Sequence, residues 1–464
     1  MGYNFRPLER DQQYLMPPSL RDWLPPDDLA WVVLDAVDQI DLGPIHAPYR
    51  ADGWGAPAYD PAMMTALLLY AYATGERSSR RIEARCRRDI AYRVICANQV
   101  PDHATIARFR ADHEAALGEL FGEILRLCAA AGLGRLGLVA LDGTRLAADA
   151  SMGANRTAAA LDAEIRHILA EAAEIDAAED ATHGPERRGD ELPAGLADPR
   201  SRLARLREAR RQLDEAETLR TRRAAEGAAA RRAVRQPERG PVEPEATDPP
   251  AIARPGAGQR KGWAERNTTD PDARKMLAPG GWLVGYNGQA LVATDGLILA
   301  AELTSDANDV EQLHPMLAAA RSNVERAGFR RPIRTVLADA GYWSEANAAA
   351  LPADGPTVLI APLAGRPRGP DSIRPPTPER ERMRRRLATR RGRALYRRRS
   401  TIVEPVFGQL KEVRGVRRFR RRGYAACASE WRLLCATHNL LKLWRSGRGR
   451  RLTGPPPPPP RRSR

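Results

Sequence analysis

The sequence has few cysteines and contains no long apolar run. Its five cysteines are scattered over 464 residues without a Cys-x-x-Cys pair, which argues against a disulfide framework or a structural zinc site and fits a reducing compartment. No stretch of 18 apolar residues exists, so no transmembrane helix is predicted, and the charged N-terminus lacks the apolar segment of a secretory signal. We therefore expect a cytoplasmic protein that makes no membrane contact.

Lysine is also scarce, because only four of the 74 basic residues are lysines. Arginine-rich and alanine-rich usage is typical of a GC-rich genome, so the number of arginines alone indicates no function. Their position is more informative. The segment 380–422 has 18 basic and three acidic residues, an excess of 15 in a chain whose net charge is +16. Charge focused in this way favours a polyanionic partner.

Residues 1–130 have the pattern of short helices. Asp60-Pro61 predicts the start of a helix with an apolar body. A second helix is predicted over 78–96 and a third from about Asp102. The arginine-rich surface of these helices fits a helix-turn-helix-like module for DNA binding or dimerisation, and it fits a plain helical bundle with solvated arginines equally well.

Residues 136–445 have the pattern of an α/β domain with a large insertion. We predict a first strand ending at the turn Asp142-Gly143-Thr144, a hairpin over 281–305, a helix from about Asp309, strands near 334–338 and 358–360, and a helix over 401–412. The insertion at 156–262 is predicted as charged helices, forming an exposed hairpin or short coiled coil, followed by a linker. The tail at 446–464, rich in proline and arginine, is expected to be disordered.

Three carboxylates occupy informative places in this pattern. Asp142 and Asp339 follow predicted strands, and Glu404 lies on the helix inside the basic segment. Adjacent strand ends meet at one edge of an α/β sheet, and clustered carboxylates stay ionised most easily beside a multivalent cation. Oxygen ligands select Mg²⁺ or Mn²⁺, and two such ions can activate a water or a 3′-hydroxyl for attack on a phosphodiester. A solvated helix with one ordinary glutamate is the alternative for Glu404.

Several short motifs, in their order along the chain, resemble bacterial insertion-sequence transposases of the DDE type. The resemblance covers nearly the whole chain and is strongest to the IS4/IS5 group and its IS1182-like branch. The N-terminal motifs are Tyr59-Asp60-Pro61 and Pro101-Asp102-His103-Ala104-Thr105-Ile106-Ala107-Arg108-Phe109-Arg110. The remaining motifs are Asp142-Gly143-Thr144, Thr269-Asp270-Pro271-Asp272-Ala273-Arg274, Gly285-Tyr286-Asn287, Ala338-Asp339-Ala340-Gly341-Tyr342, and Arg399 with Ile402-Val403-Glu404-Pro405-Val406-Phe407-Gly408 and Lys411.

The resemblance implies an RNase H-like catalytic core, a mixed sheet flanked by helices, beside an N-terminal all-α domain. It implies DNA cleavage followed by strand transfer, with Asp142, Asp339 and Glu404 binding two Mg²⁺ or Mn²⁺ ions. Expected partners are double-stranded DNA, as terminal inverted repeats and target, and a second copy of the chain in a DNA-bound homodimer at the bacterial nucleoid. The expected DNA-binding residues are Tyr396, Arg399, Lys411, Arg417, Arg418, Arg108, Arg110 and Arg274.

Some details of the pattern stay open. Arg399 precedes Glu404 by five positions, one more than is usual in the wider group, whereas Lys411 follows at the usual spacing and, on a regular helix, would share a face with Glu404. The insertion could serve dimer contacts or end binding. Two other readings of the whole chain remain, a catalytically inactive DNA-binding descendant and an RNase H-like nuclease without joining activity.

Other polar and aromatic residues have simpler interpretations. His103 is interpreted as a helix-cap residue, and Asp270 and Asp272 as turn residues. For Arg274 a surface salt bridge is the alternative to a phosphate contact. Trp343 and Trp431 are interpreted as core residues, with stacking on an unpaired base as the alternative. Finally, Cys427, Cys435 and His438 lack a fourth ligand, which favours the buried face of a terminal helix over a metal site.

Overall fold

A computed structural model describes residues 19–49, 57–183, 201–235, 265–362 and 377–449. The predicted linker at 236–260, and the tail beyond residue 449, lie outside the described residues. Within them, no helix combines the length and the apolar character needed to cross a bilayer.

The N-terminal part is helical, as its sequence pattern predicts. Asp60 caps the helix that starts at Pro61, because its Oδ1 accepts hydrogen bonds from the backbone N–H of Ala62 and Met63. That helix is buried along most of its length. The helices are α1 (Leu29–Val37), α2 (Gly43–His46), α3 (Pro61–Ala73), α4 (Ser79–Arg88), α5 (Ile90–Ile95), α6 (His103–Asp112) and α7 (Glu114–Ala130).

The single helix predicted over 78–96 is wrong, since the chain forms α4 and α5 with a break at Asp89. Asp89 has an extended backbone (φ −100°, ψ 126°), and its side chain accepts from the N–H of Ala91 at 3.0 Å. Apolar residues at helical spacing continue across the break, so periodicity alone did not reveal it. An aspartate that caps the following helix satisfies free N–H groups that a continuous helix would not have.

The α/β part is built on a mixed sheet. Its strands are β1 (Val139–Ala147), β4 (Arg274–Ala278), β5 (Gly281–Ala293), β6 (Ile298–Thr304), β7 (Thr335–Ala338) and β8 (Thr357–Ile360). The long strand β5 pairs with β4 and β6 along one edge and with β1 along the other, all antiparallel. The sheet continues in parallel from β1 to β7 and β8. The predicted hairpin is β5–β6.

The first strand is longer than its turn-like motif predicts. β1 does not stop at Asp142; it pairs with β5 from Val139 to Ala147. Gly143 and Thr144 pair with Gln289 and Gly288 of β5 inside the sheet. Because a partner strand supplies these hydrogen bonds, the Asp-Gly-Thr sequence is strand rather than turn here, and Asp142 lies in the middle of β1.

The insertion forms two long helices, α8 (Ala158–His183) and α9 (Arg202–Arg235), which contact each other. Leu161, Leu206, Ala209 and Leu213 form a small core between them that is separate from the main core. A short antiparallel pair, β2 (Asn155–Thr157) and β3 (Glu265–Asn267), joins the base of the insertion. The insertion therefore has its own packing.

The remaining helices flank the sheet. They are α10 (Leu313–Arg326), α11 (Glu345–Ala349), α12 (Pro378–Ala388), α13 (Arg390–Tyr396), α14 (Arg398–Gly408) and α15 (Tyr424–Arg445). Helix α15 packs on α3 and α7 and also on β6, and α14 packs on β1. The N-terminal helices and the sheet consequently share one hydrophobic core, and the expected mixed sheet flanked by helices is confirmed.

Candidate active site

Asp142 and Asp339 lie side by side at the centre of the sheet. In the parallel pairing of β1 and β7, Leu141 is the partner of Ala338, so each aspartate is the next residue along neighbouring strands. Asp142 Oδ1 accepts from the N–H of Gly143 at 2.9 Å. Asp339 leaves β7 and starts a short 3₁₀ turn, and its Oδ1 accepts from the N–H of Gly341 at 2.8 Å.

Both carboxylates have raised pKa values. Burial is the largest cause for Asp142, whose pKa rises to about 6; Arg399 lowers it, whereas Asp339 and Asp309 raise it further. Burial also raises the pKa of Asp339, against the hydrogen bond from Gly341. The site thus holds negative charge that the surrounding protein does not fully stabilise.

Arg399 provides the cation nearest to Asp142. Its Nη1 lies 2.8 Å from Asp142 Oδ2, and both side chains are about four-fifths buried (23% and 20% exposed). Helix α14 holds Arg399 there because Ile402, Val403 and Val406 are buried on the same helix. The spacing of Arg399 from Glu404 therefore does not keep it away from the site.

The structure does not bring Glu404 into contact with the two aspartates. The Glu404 side chain is exposed and makes no hydrogen bond or ion pair with any described residue. Among the residues that the structure describes, no group of three Asp, Glu, His or Cys side chains is arranged to hold a metal ion. Of the three predicted acids, Asp142 and Asp339 thus form a pair, and Glu404 lies apart from them on α14.

A further acid, Asp309, lies beside the pair. Its Oδ1 accepts from Asn287 Nδ2 and from Gln289 Nε2, each at 2.7 Å. In the sequence, Asp309 marks only the predicted start of a helix, because nothing in the local pattern separates it from an ordinary cap residue. Its place in the site is seen only from contacts between distant parts of the chain: Gly143, directly after Asp142, and Gly341, two residues after Asp339, both face Asp309.

Tyr396 and Lys411 hold backbone next to the site. The Tyr396 hydroxyl donates to the carbonyl of Ala338 at 3.1 Å and accepts from the N–H of Ala361 at 3.3 Å. Lys411 Nζ donates to the carbonyl of Arg145 at 3.2 Å, and burial lowers the pKa of Lys411. A π-helical turn over Gln409–Val413 follows α14, so the seven positions from Glu404 to Lys411 are not two regular α-helical turns.

The other predicted DNA-binding arginines divide into exposed and engaged side chains. Arg108 and Arg418 are exposed, and Arg417 is exposed but paired with Glu412. Arg110 instead donates to the Tyr72 hydroxyl, the Arg77 carbonyl and Ser79. Arg274 donates to the carbonyls of Pro271 and Ala273 and to Gln212. These last two guanidinium groups hold the fold together, and their DNA contacts stay predictions.

The simpler interpretations agree with the packing for the two tryptophans and for Asp270, but not for His103. Trp431 is fully buried and Trp343 nearly so, which confirms both as core residues. Asp270 is buried and accepts from the Tyr286 hydroxyl at 2.7 Å. The interpretation of His103 as a helix cap is wrong: Asp102 caps α6 by accepting from the N–H groups of Ala104 and Thr105. His103 is the first residue of the helix and pairs with Glu83.

The prediction that Cys427, Cys435 and His438 lie on the buried face of the terminal helix is confirmed. Cys427, Cys435 and His438 are all buried on α15. Both ring nitrogens of His438 are engaged, by Gln409 and by the carbonyl of Gly296, at 2.9 Å each. Burial lowers the pKa of His438 to about 3, which favours the neutral ring.

Two family matches agree with this architecture. A family described as "Transposase domain (DUF772)" matches residues 18–112, and a family described as "Transposase DDE domain" matches residues 248–440. Together the two segments span more than half of the chain. No curated protein and no solved structure matches it.

The second match includes β7, α14 and most of α15, and proteins of this family generally use divalent metal ions. The helical N-terminal match followed by the DDE match is consistent with the IS1182-like branch. The mixed sheet is the RNase H-like core expected of the family. The chain belongs to the DDE transposases.

Proposed function

We propose that this transposase binds the ends of an insertion sequence and catalyses metal-dependent DNA cleavage and strand transfer. The observation that carries the proposal is the pair of partly buried aspartates, Asp142 on β1 and Asp339 directly after the neighbouring parallel strand β7. Partly buried, mutually repelling carboxylates fit a site that binds a cation when the protein functions.

The donor set fits a hard divalent ion. Asp142 and Asp339 offer carboxylate oxygens, which Mg²⁺ and Mn²⁺ prefer to nitrogen or sulfur. Glu404 is the third acid in the proposal, because it is exposed and unpaired on the helix that carries Arg399. When bound, two such ions activate a water or 3′-hydroxyl and stabilise the leaving oxygen of a phosphodiester.

The chain's own residues position the reacting groups. Arg399 pairs with Asp142. A cation held by Asp142 would leave the guanidinium of Arg399 available for a DNA phosphate. Tyr396 fixes the carbonyl that precedes Asp339, and Lys411 fixes the β1 backbone three residues after Asp142. These contacts hold the two aspartate-bearing strands at their relative positions.

An arginine surface near the site supports binding of DNA phosphates. The helices α12 to α14 and the segment before α15 expose guanidinium groups without an acidic partner among the described residues. They include Arg384, Arg390, Arg391, Arg397, Arg398 and Arg418. Unpaired surface charge is available for phosphates without breaking internal ion pairs, and each phosphate contact steepens the salt dependence of binding. A DNA-bound homodimer stays a prediction.

The main experiment uses the purified protein, its own terminal inverted repeats and Mg²⁺. We expect cleavage at the element ends followed by joining to target DNA, and loss of both in Asp142→Asn. The control is Asp306→Asn, which removes an exposed carboxylate outside the aspartate pair. Activity that survives Asp142→Asn contradicts the metal assignment. Binding without cleavage supports an inactive descendant, and nicking without joined product supports a nuclease.

A second experiment tests the arginine surface. The double variant Arg397→Ser/Arg398→Ser should weaken DNA binding uniformly across sequences and reduce the slope of log K against log salt by about two. Arg321→Ser is the matched control, since Arg321 is exposed but paired with Glu325. An unchanged salt slope in the double variant would show that this surface does not contact phosphate.

A further inference from the structure

Asp309 connects two polar side chains of β5 to the turn that carries Asp339. Through Oδ1 it holds Asn287 and Gln289, and Gln289 Oε1 accepts from the hydroxyl of Tyr342. Tyr342 is the last residue of the 3₁₀ turn that starts after Asp339. Gln289 and Tyr342 are buried, so water cannot readily replace these hydrogen bonds.

Glycines of both aspartate motifs make room for Asp309. A Cβ on Gly143 would lie 2.6 Å from Asp309 Oδ1 and 2.6 Å from Gln289 Nε2. A Cβ on Gly341 would lie 3.0 Å from Asp339 Oδ1 and 3.3 Å from Asp309 Oδ2. The glycine after Asp142 and the glycine two residues after Asp339 therefore face the same carboxylate.

Further hydrogen bonds fix the loop that carries Asp309. Asn347 Nδ2 donates to the carbonyl of Val310 at 2.6 Å and to that of Tyr342 at 2.9 Å, which joins the loop to the Asp339 turn. Arg145, on β1, donates to the carbonyl of Ala307 at 2.8 Å. The loop is thus held to both elements that carry a site aspartate.

We propose that Asp309 is a positioning residue of the active site, holding the Asp339 turn against β5 through Gln289 and Tyr342. The inference rests on the proposed function, since it concerns the placement of a carboxylate that would bind the metal. Partners behind metal ligands set ligand orientation, and their loss costs about 10-fold to 100-fold in metal affinity or activity. Asp309 itself contacts neither DNA nor metal in this proposal.

The test compares Asp309→Ala, Asp309→Asn and Tyr342→Phe with the wild-type full chain. We measure kcat and KM for end cleavage, and the Kd for Mn²⁺ alone by electron paramagnetic resonance. Asp309→Ala should lower kcat and weaken Mn²⁺ binding by about 10-fold to 100-fold each, with KM for DNA changed less than about twofold. Asp309→Asn retains an oxygen that accepts from both amides, so it should restore at least about ten times the kcat of Asp309→Ala.

Tyr342→Phe removes one hydroxyl without changing the packed ring, and it should lower kcat by about fivefold to tenfold. This variant decides the question if Asp309→Ala does not fold. Asp306→Asn is the control, because Asp306 lies in the same loop but is exposed and bonded to Thr304 and Gln312; its kcat and Kd should stay within about twofold of wild type.

Three results would overturn the inference: wild-type kcat in both Asp309→Ala and Tyr342→Phe, equal losses in Asp309→Asn and Asp309→Ala, or unchanged Mn²⁺ affinity in Asp309→Ala and Tyr342→Phe. The second result would assign the role to charge rather than to hydrogen bonding. If the proposed function is wrong, the folded wild type will cut no DNA, and this result distinguishes that failure from a wrong role for Asp309. The Mn²⁺ affinities of the variants decide the role of Asp309 even in that case.

Discussion

Replacing Asp142 by asparagine should make the metal-free protein more stable at neutral pH. Burial raises the pKa of Asp142 to about 6, compared with about 4 for an unfolded chain. Between these values the folded state binds more protons than the unfolded state, so the stability of the wild type falls as pH rises through this range. Above pH 6 the full cost of holding an ionised Asp142 is present.

The size of the effect follows from the two pKa values. Their difference of about two pH units corresponds to about 3 kcal/mol at neutral pH. This difference already includes the attraction of Arg399, which lowers the pKa of Asp142 against the effect of burial. Because asparagine removes the ionised group, the gain in the free energy of unfolding should be about 3 kcal/mol at pH 7 and close to zero at pH 4.

The assay is urea unfolding of the wild type, Asp142→Asn and Asp306→Asn at several pH values from 4 to 8, with chelator present. Asp306 is exposed, so its variant should differ from wild type by less than about 0.5 kcal/mol at every pH. Saturating Mn²⁺ should stabilise the wild type and not Asp142→Asn, because a ligand stabilises only the state that binds it.

A difference between Asp142→Asn and wild type that does not change with pH would refute this reasoning. It would mean that Asp142 has the same pKa in the folded and unfolded chains. A variant less stable than wild type at pH 7 would mean that the bond to Arg399 outweighs burial and repulsion by the neighbouring aspartates.

Further predictions concern the core and the buried ionisable groups. Trp431→Ala should lower the free energy of unfolding by about 3–5 kcal/mol in a denaturation experiment, because the ring is fully buried and its Nε1 donates to the carbonyl of Gln289; a loss below 1 kcal/mol would contradict this packing. Glu430→Ala should cost about 3–5 kcal/mol, since it leaves Arg77, 5% exposed, without its partner at 3.1 Å; Glu325→Ala, at an exposed pair, is the control and should cost under about 1 kcal/mol. An NMR titration should show the His438 ring neutral down to near pH 4, because burial lowers its pKa to about 3. The free energy of unfolding should then decrease as pH falls from about 6.5 towards 3. A His438 ring that titrates near 6.5 would refute this prediction.

Much of the fold could be predicted from local pattern. The cap Asp60-Pro61, the hairpin of β5 and β6, and the strand before Asp339 are set by residues close in sequence. The break at Asp89 and the continuation of β1 past Asp142 could not be predicted in this way. In both places the deciding hydrogen bonds compete with an equally reasonable local alternative, a longer helix or an earlier turn.

The candidate site likewise has features that could be predicted from local sequence and features that could not. Asp142 and Asp339 stand out in the sequence because they accompany apolar strands, and their adjacency follows from the parallel pairing of β1 with β7. The position of Glu404 relative to them depends on the orientation of α14, and the structure leaves it apart from the pair. The engagement of Arg110 within the helical domain likewise depends on partners more than 30 positions away.

The sequence by itself determined the order of elements, the focused positive charge and the acids next to strands, because each depends on neighbours within a few positions. Only the tertiary structure decided that Arg399 neutralises Asp142, that Asp309 joins the site, and that two glycines make room for it. The physical reason is that these contacts join residues far apart in the chain. Strand pairing and helix packing set their distances, and no local propensity encodes either.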